Sequence, residues 1–151
     1  MQSNWSGSWE LVHSLISCGF STNMRIFRRN QALTLLSTLL RNRVLQESAP
    51  KELKAKVLET LCDKIAAEFN QYIKDSGSIK PRFLCELLNI TRGLHLAGAD
   101  GYKAKWKDIL DVLEDLRAHI PKNRHFQDVK KAYNKVCAPL KIKVVQGCEK
   151  R

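Results

Sequence analysis

Apolar residues recur along this chain at steps of three and four, the period of an amphipathic helix, and nowhere alternate cleanly as a half-buried strand would. Ser8 opens a first short helix with Trp9, Val12, Leu15 and Ile16 on one face and Gly19 at its end. The stripe Leu33, Leu36, Leu39, Leu40 and Val44 predicts a second helix, from Asn23 or Asn30 to Gln46. Ser48-Ala49-Pro50 is a start signal, because proline fits the first helical turn, where no N–H is needed. The third and longest predicted helix buries Leu53, Val57, Leu58, Leu61, Ile65, Phe69, Tyr72 and Ile73, and Asp75-Ser76-Gly77-Ser78 ends it. Pro81 opens the fourth, with Leu84, Leu87, Leu88, Thr91 and Leu94 inward, and Gly98-Ala99-Asp100-Gly101 stops it. Trp106, Ile109, Leu110, Leu113, Leu116 and Ile120 mark the fifth, closed by Pro121. Phe126, Val129, Tyr133, Val136 and Leu140 space the sixth as a seam of two heptads, too short for a free coiled coil.

The pattern predicts an all-α protein of about six amphipathic helices: one domain over residues 1–140 and a flexible basic tail over 141–151. Short turns between such helices leave two architectures, an α-solenoid of stacked pairs in the HEAT or armadillo manner and a closed helical bundle. The third and fourth helices, then the fifth and sixth, make successive pairs of roughly 40–50 residues, which favours the solenoid.

At 151 residues the chain is long enough to bury a core without disulfides or metal. The apolar share of 44% and the charged share of 27% are those of a globular protein. Five cysteines, at 18, 62, 85, 137 and 148, are an odd set with irregular gaps and no C-x-x-C pair, which predicts reduced thiols and a nuclear or cytosolic home. Neither a secretory signal nor an apolar run of membrane length is present, and Glu149 and Lys150 spoil a prenylation box at Cys148. A soluble chain is expected.

Charge changes the picture most. Residues 1–46 hold five Arg and one Glu, residues 47–120 hold twelve basic and twelve acidic residues, and residues 121–151 hold nine basic and two acidic. Nearly all of the net charge of +11 therefore sits at the two ends. Basic clusters of this kind are the electrostatic footprint of a polyanion or an acidic partner.

A family resemblance adds to this reading. The stretch Ser78-Ile-Lys-Pro-Arg-Phe-Leu-Cys-Glu-Leu-Leu-Asn89, after a helix ending in Phe69-Asn-Gln-Tyr-Ile73, resembles the nucleolar Myb-binding protein family, also called DNA polymerase phi. The likeness covers about a third of the chain and implies a long helical-repeat scaffold of the nucleolus with a basic C-terminal tail and no polymerase chemistry. Such a scaffold is far longer than this chain, which the resemblance would make a fragment or isoform. No functional residue is carried over from it.

Three basic groups are candidates for contact with nucleic acid or an acidic partner. Arg25, Arg28 and Arg29 form one, with Arg41 and Arg43 a few turns on, and no acidic residue lies between Glu10 and Glu47 to pair with them. Arginine suits bidentate recognition of phosphate or carboxylate, but this face equally suits docking on an acidic helix. Lys103, Lys105 and Lys107 alternate with Tyr102 and Trp106, a spacing that grips phosphates while a ring stacks on a base. Trp106, though, is in phase with Ile109, Leu110 and Leu113, which favours a core ring and solvated lysines. Arg124, Lys131 and Lys135 share a face of the sixth helix, flanked by Lys130 and extended by Lys141 and Lys143, where a solvated face competes with phosphate attraction.

Other constellations read as structure. Gly98-Ala99-Asp100-Gly101 spells the loop with which KH domains clamp a backbone, but Asp100 would repel phosphate and no strands flank it. Asp108, Asp111 and Asp115 share a helix face without a histidine to complete a metal motif, and His13, His95, His119 and His125 have no cysteine pair in reach. No nucleophile elbow, P-loop, dinucleotide fingerprint or zinc-protease motif is present. The expectation is a non-catalytic interaction module without cofactor or metal, nuclear or nucleolar and otherwise cytoplasmic. It would bind protein partners while its basic ends attract RNA, DNA or acidic segments. The alternative is a direct, sequence-independent nucleic-acid-binding domain using the sixth helix and the tail. Trp5, Trp9, Phe20 and Phe27 are further expected to form an aromatic patch through which copies self-associate.

Overall fold

The computed structural model describes residues 2–145, and side chains from residue 10 onward except residue 78. Among the described residues every regular element is helical. The α-helices are α1 (Gln2–Gly19), α2 (Ile26–Leu40), α3 (Arg43–Ser48), α4 (Lys51–Lys74), α5 (Pro81–Leu96), α6 (Lys103–Leu116) and α7 (Gln127–Cys137), with single 3-10 turns between some of them.

The helices stack in two rows. α2 packs against α1 and α5, and α5 packs in turn against α7, which makes one row of α2, α5 and α7. The other row is α4 against α6, with α1 touching α4 at its near end. Each helix of a pair lies in a different row, so α1–α2, α4–α5 and α6–α7 are three successive pairs. This is the solenoid, not the closed bundle.

The core lies between the rows. Val57, Leu61, Ile65, Phe69 and Tyr72 of α4 and Ile109, Leu113 and Leu116 of α6 meet Leu84, Leu87, Leu88 and Leu94 of α5 and Val129 and Tyr133 of α7, all fully buried. Three hydroxyls that the core swallows find backbone acceptors: Tyr72 Oη donates to the His119 carbonyl at 2.9 Å, Tyr133 Oη to the Leu113 carbonyl at 2.6 Å, and Thr91 Oγ1 to the Leu87 carbonyl at 2.8 Å. Helix α5 is buried around most of its circumference, because Phe83 and Ile90 lie inside as well as the expected stripe. Gly93 lets it close on α2, since a Cβ there would sit 3.2 Å from Leu40 Cβ.

Several boundaries differ from the expected ones, and α1 begins at Gln2 instead of Ser8. The second predicted helix breaks after Leu40 instead of running to Gln46, which gives seven α-helices among the described residues in place of six. Asn42 is the cause: its side-chain oxygen accepts the Leu45 N–H at 2.9 Å and caps a new helix, α3, while Gln46 Nε2 donates to the freed Leu40 carbonyl at 2.9 Å. The break resets the helical phase, so Leu45 is buried and Val44, expected inward, is 55% exposed. At the other end, residues 141–145 belong to the folded part and not to a tail. Ile142 and Val145 are buried, and Asn134 brackets Val145, accepting its N–H at 2.8 Å and donating to its carbonyl at 3.3 Å. Lys141 sits at a φ of 62° where α7 is closed off by Lys141 N–H to Ala138 O and Ile142 N–H to Cys137 O, the Schellman arrangement. The rest of the expected tail, residues 146–151, lies outside the described residues.

The two rows rest on α5, so Leu87→Ala should lower unfolding stability by roughly 2–5 kcal/mol, whereas Val44→Ala should change it by less than about 0.5 kcal/mol. Chemical denaturation of the two variants measures both.

Candidate interaction surface

The structure divides the twelve expected contact residues by what their side chains touch. Arg29 is turned inward. Its Nε donates to the Gly19 carbonyl at 2.9 Å, its Nη2 to Glu68 Oε2 at 3.3 Å, and its guanidinium lies 4.5 Å from the centroid of the Phe83 ring. One side chain thereby ties the end of α1, α4 and α5 to α2, and the acid missing from the N-terminal stretch comes from α4. Arg25 and Arg28 beside it are exposed.

At the start of α6, Lys105 holds both carboxylate oxygens of Asp63 on α4 at 2.9 Å, and Lys107 pairs with Asp111 at 2.9 Å one turn on. These hydrogen bonds raise both ammonium groups above their ordinary value. Lys103 stays exposed. Trp106 is buried and stacks on the His95 ring with centroids 5.7 Å apart, the core ring that its phase with Ile109, Leu110 and Leu113 favours. Gly98, at a φ of 94°, is the helix-ending residue of a plain turn.

On α7, Arg124, Lys131 and Lys135 are exposed, but Lys130 is 5% exposed and packed into the domain. Lys141 and Lys143 point to solvent, while the Lys143 carbonyl accepts from Arg117 Nη1 at 3.0 Å. Of the aromatic patch, the side chains of Trp5 and Trp9 lie outside the described residues, Phe20 is half-buried against the core and Phe27 is 66% exposed.

Lys135 is the expected residue that the fold joins to cations from other helices. It lines a polar groove of about 260 Å³ with Arg41 at the end of α2 and Arg92 of α5. Thr34, Ser37, Thr38, Glu86 and Asn89 complete the lining. Arg92 was missed in the sequence because it stands between Thr91 and Gly93 in an apolar helix. A signal existed: Arg82, Glu86, Asn89 and Arg92 recur at four, three and three, one polar strip on α5.

Nucleophile chemistry finds no support in Cys62, Cys85 and Cys137. Burial pushes Cys62, Cys85 and Cys137 from 9.0 up to about 11, so they stay protonated at neutral pH. Among the described residues no three His, Cys, Asp or Glu side chains converge as metal ligands, and no helix is long and apolar enough to cross a membrane.

A fold of stacked helix pairs displaying charge on its surface is that of a helical-repeat protein, and the model of one such family, Myb-binding protein 1A-like proteins with TPR repeats, matches residues 1–143. The chain belongs to that family. The match extends the resemblance from a third of the sequence to nearly all of it, and it names TPR where the sequence suggested HEAT or armadillo; all three are stacks of helix pairs. In this Myb-binding protein 1A-like chain the first residues of α4 and α6, Lys51 and Lys103, are about fifty residues apart, longer than the usual TPR period of about 34. No curated protein and no solved structure matches the chain.

Arg29→Ala should destabilise the Myb-binding protein 1A-like fold by roughly 2 kcal/mol, because Glu68 and the Gly19 carbonyl lose their donor, whereas Arg28→Ala should stay within about 0.5 kcal/mol. Denaturant midpoints of the pair check this. The thiols set a pH trend. The unfolded chain loses these protons near pH 9 and the folded chain only near pH 11, so the folded state binds more protons in between and stability falls as pH rises through that window. Thermal melts should show the decline, and it should be shallower when Cys62→Ala and Cys137→Ala are combined.

Proposed function

We propose that this chain is a non-catalytic scaffold of the nucleus or nucleolus that presents the faces of its stacked helices to protein partners. Its basic ends add attraction for acidic segments or nucleic acid. The observation that carries this reading is the stack of three helix pairs with exposed cations on its outer surface and buried, protonated thiols inside. Stacked helix pairs give extended surfaces suited to macromolecular partners. The family is named for a protein that binds Myb, which supports a protein as the partner. The nucleolar placement rests on the sequence resemblance to nucleolar scaffolds and on the reduced thiols.

Direct binding of nucleic acid by α7 and the residues after it is the competing function. Arg124, Lys131, Lys135, Lys141 and Lys143 are exposed there, but burial of Lys130 removes one charge from the expected track.

Anisotropy of labelled single-stranded and duplex RNA and DNA, at low and near-physiological salt, separates the two. On the scaffold reading, binding at physiological salt should be no tighter than about 100 μM. Micromolar binding that falls steeply with salt, and collapses when Lys131, Lys135, Lys141 and Lys143 are changed to Gln, would overturn it.

A further inference from the structure

We propose that the outer face of the α2–α5–α7 row is a docking surface for an acidic peptide segment that carries an apolar anchor. The proposal rests on the reading of the chain as a protein-binding scaffold and names the partner's chemistry and the surface that takes it.

Three cations converge on one groove. Arg41, Arg92 and Lys135 come from three successive helices of the same row and line the same polar cavity. Among the described residues, no carboxylate pairs with any of them. The acid in the groove, Glu86, is taken by Arg82 at 3.0 Å. Arg29, Lys105, Lys107 and Arg117 each hold a carboxylate; what sets Arg41, Arg92 and Lys135 apart from the other unpaired cations is that three helices bring them to one cavity. Three unneutralised cations around one groove repel one another, and a run of carboxylates relieves that repulsion while pairing with the two guanidiniums in their preferred geometry.

A strip that carries two exposed apolar side chains, Phe27 and Leu35, borders the cations. Phe27, Gln31, Thr34, Leu35 and Thr38 recur along α2 at four, three, one and three and are all exposed, Phe27 by 66% and Leu35 by 55%. Leu35 and Thr34 share a second cavity with Gln31 and with Arg82 of α5, and Thr34 also lines the cationic groove. The strip therefore runs over the seam between α2 and α5 and leads directly into the cations. A partner whose acidic residues flank a Leu- or Phe-sized side chain matches both parts.

The same features disfavour nucleic acid. A single strand is held by aromatic platforms and a continuous track of phosphate contacts. Here the residue that borders the groove is the aliphatic Leu35, and the three cations are gathered in one groove instead of along a track.

The test uses the full chain and a short labelled peptide of Asp and Glu around a central Leu, read by anisotropy. The probes beside it are the same peptide with Asn and Gln for its acids, and a single-stranded RNA of similar length. The triple variant Arg41→Gln, Arg92→Gln, Lys135→Gln should keep its helical circular dichroism, because among the described residues none of these side chains makes a hydrogen bond or ion pair. It should lose about tenfold or more in peptide affinity. A charge-matched control, Lys74→Gln, Lys103→Gln, Lys122→Gln, should stay within about twofold. Leu35→Ser should weaken the acidic peptide too, with its fold and charge unchanged. Equal binding of the acidic and neutral peptides overturns the proposal. So does a triple variant that binds as the parent chain does, which would leave the protein-scaffold reading standing and only this surface wrong. RNA held through these three cations while the peptide is ignored would overturn both.

Discussion

Burial of α5 is the constraint on which the rest of this molecule depends. It is the middle helix of its row, gripped by α2 on one side and α7 on the other, with α4 and α6 across the core. An exposed helix is free to be polar over half its surface. Here Phe83, Leu84, Leu87, Leu88, Ile90 and Leu94 leave α5 only a narrow outward strip, and Gly93 brings its backbone against Leu40. The charged residues of α5 are confined to that strip as a result. The groove that joins Arg41, Arg92 and Lys135 is thus a consequence of how the middle helix is packed, because the same closeness that excludes water from the core brings cations of three helices together outside it.

Charge in this protein divides by depth. Arg29 is half-buried, and in that position a guanidinium needs several acceptors; it finds a carbonyl, a carboxylate and the face of a ring. Arg28, the residue before it, is exposed. Lys105 and Lys107 are held by carboxylates in solvent, where such pairs add little to stability. What remains unneutralised, in particular at the groove, is repulsion that the folded chain tolerates and that an acidic partner would remove.

The helix count shows how a local interaction overrides a periodic pattern. Leucines from Leu33 to Leu40 and then Val44 read as one continuous stripe, and helix propensity has no reason to stop at Arg41. Asn42 stops it, by offering the Leu45 amide a side-chain acceptor and turning the chain. Likewise Asn134 draws the strand-like residues Val144 and Val145 back onto the domain, where composition alone suggested solvated tail.

The all-helical class, the helix pairs and most of the core were legible in the sequence, because burying one face of a helix leaves a period that no other structure shares; the family resemblance was legible too, in residues 69–73 and 78–89. Candidate contact residues were legible only as clusters of charge. Which of them face solvent was decided by the tertiary structure: Arg29 and Lys130 share their clusters with exposed neighbours, yet packing withdraws them, and Arg92 was hidden among apolar residues until α5 met α2 and α7. Periodicity reports which side of a single helix is apolar. It carries no information about which helices become neighbours, and a site built from one residue on each of three helices exists only once they have.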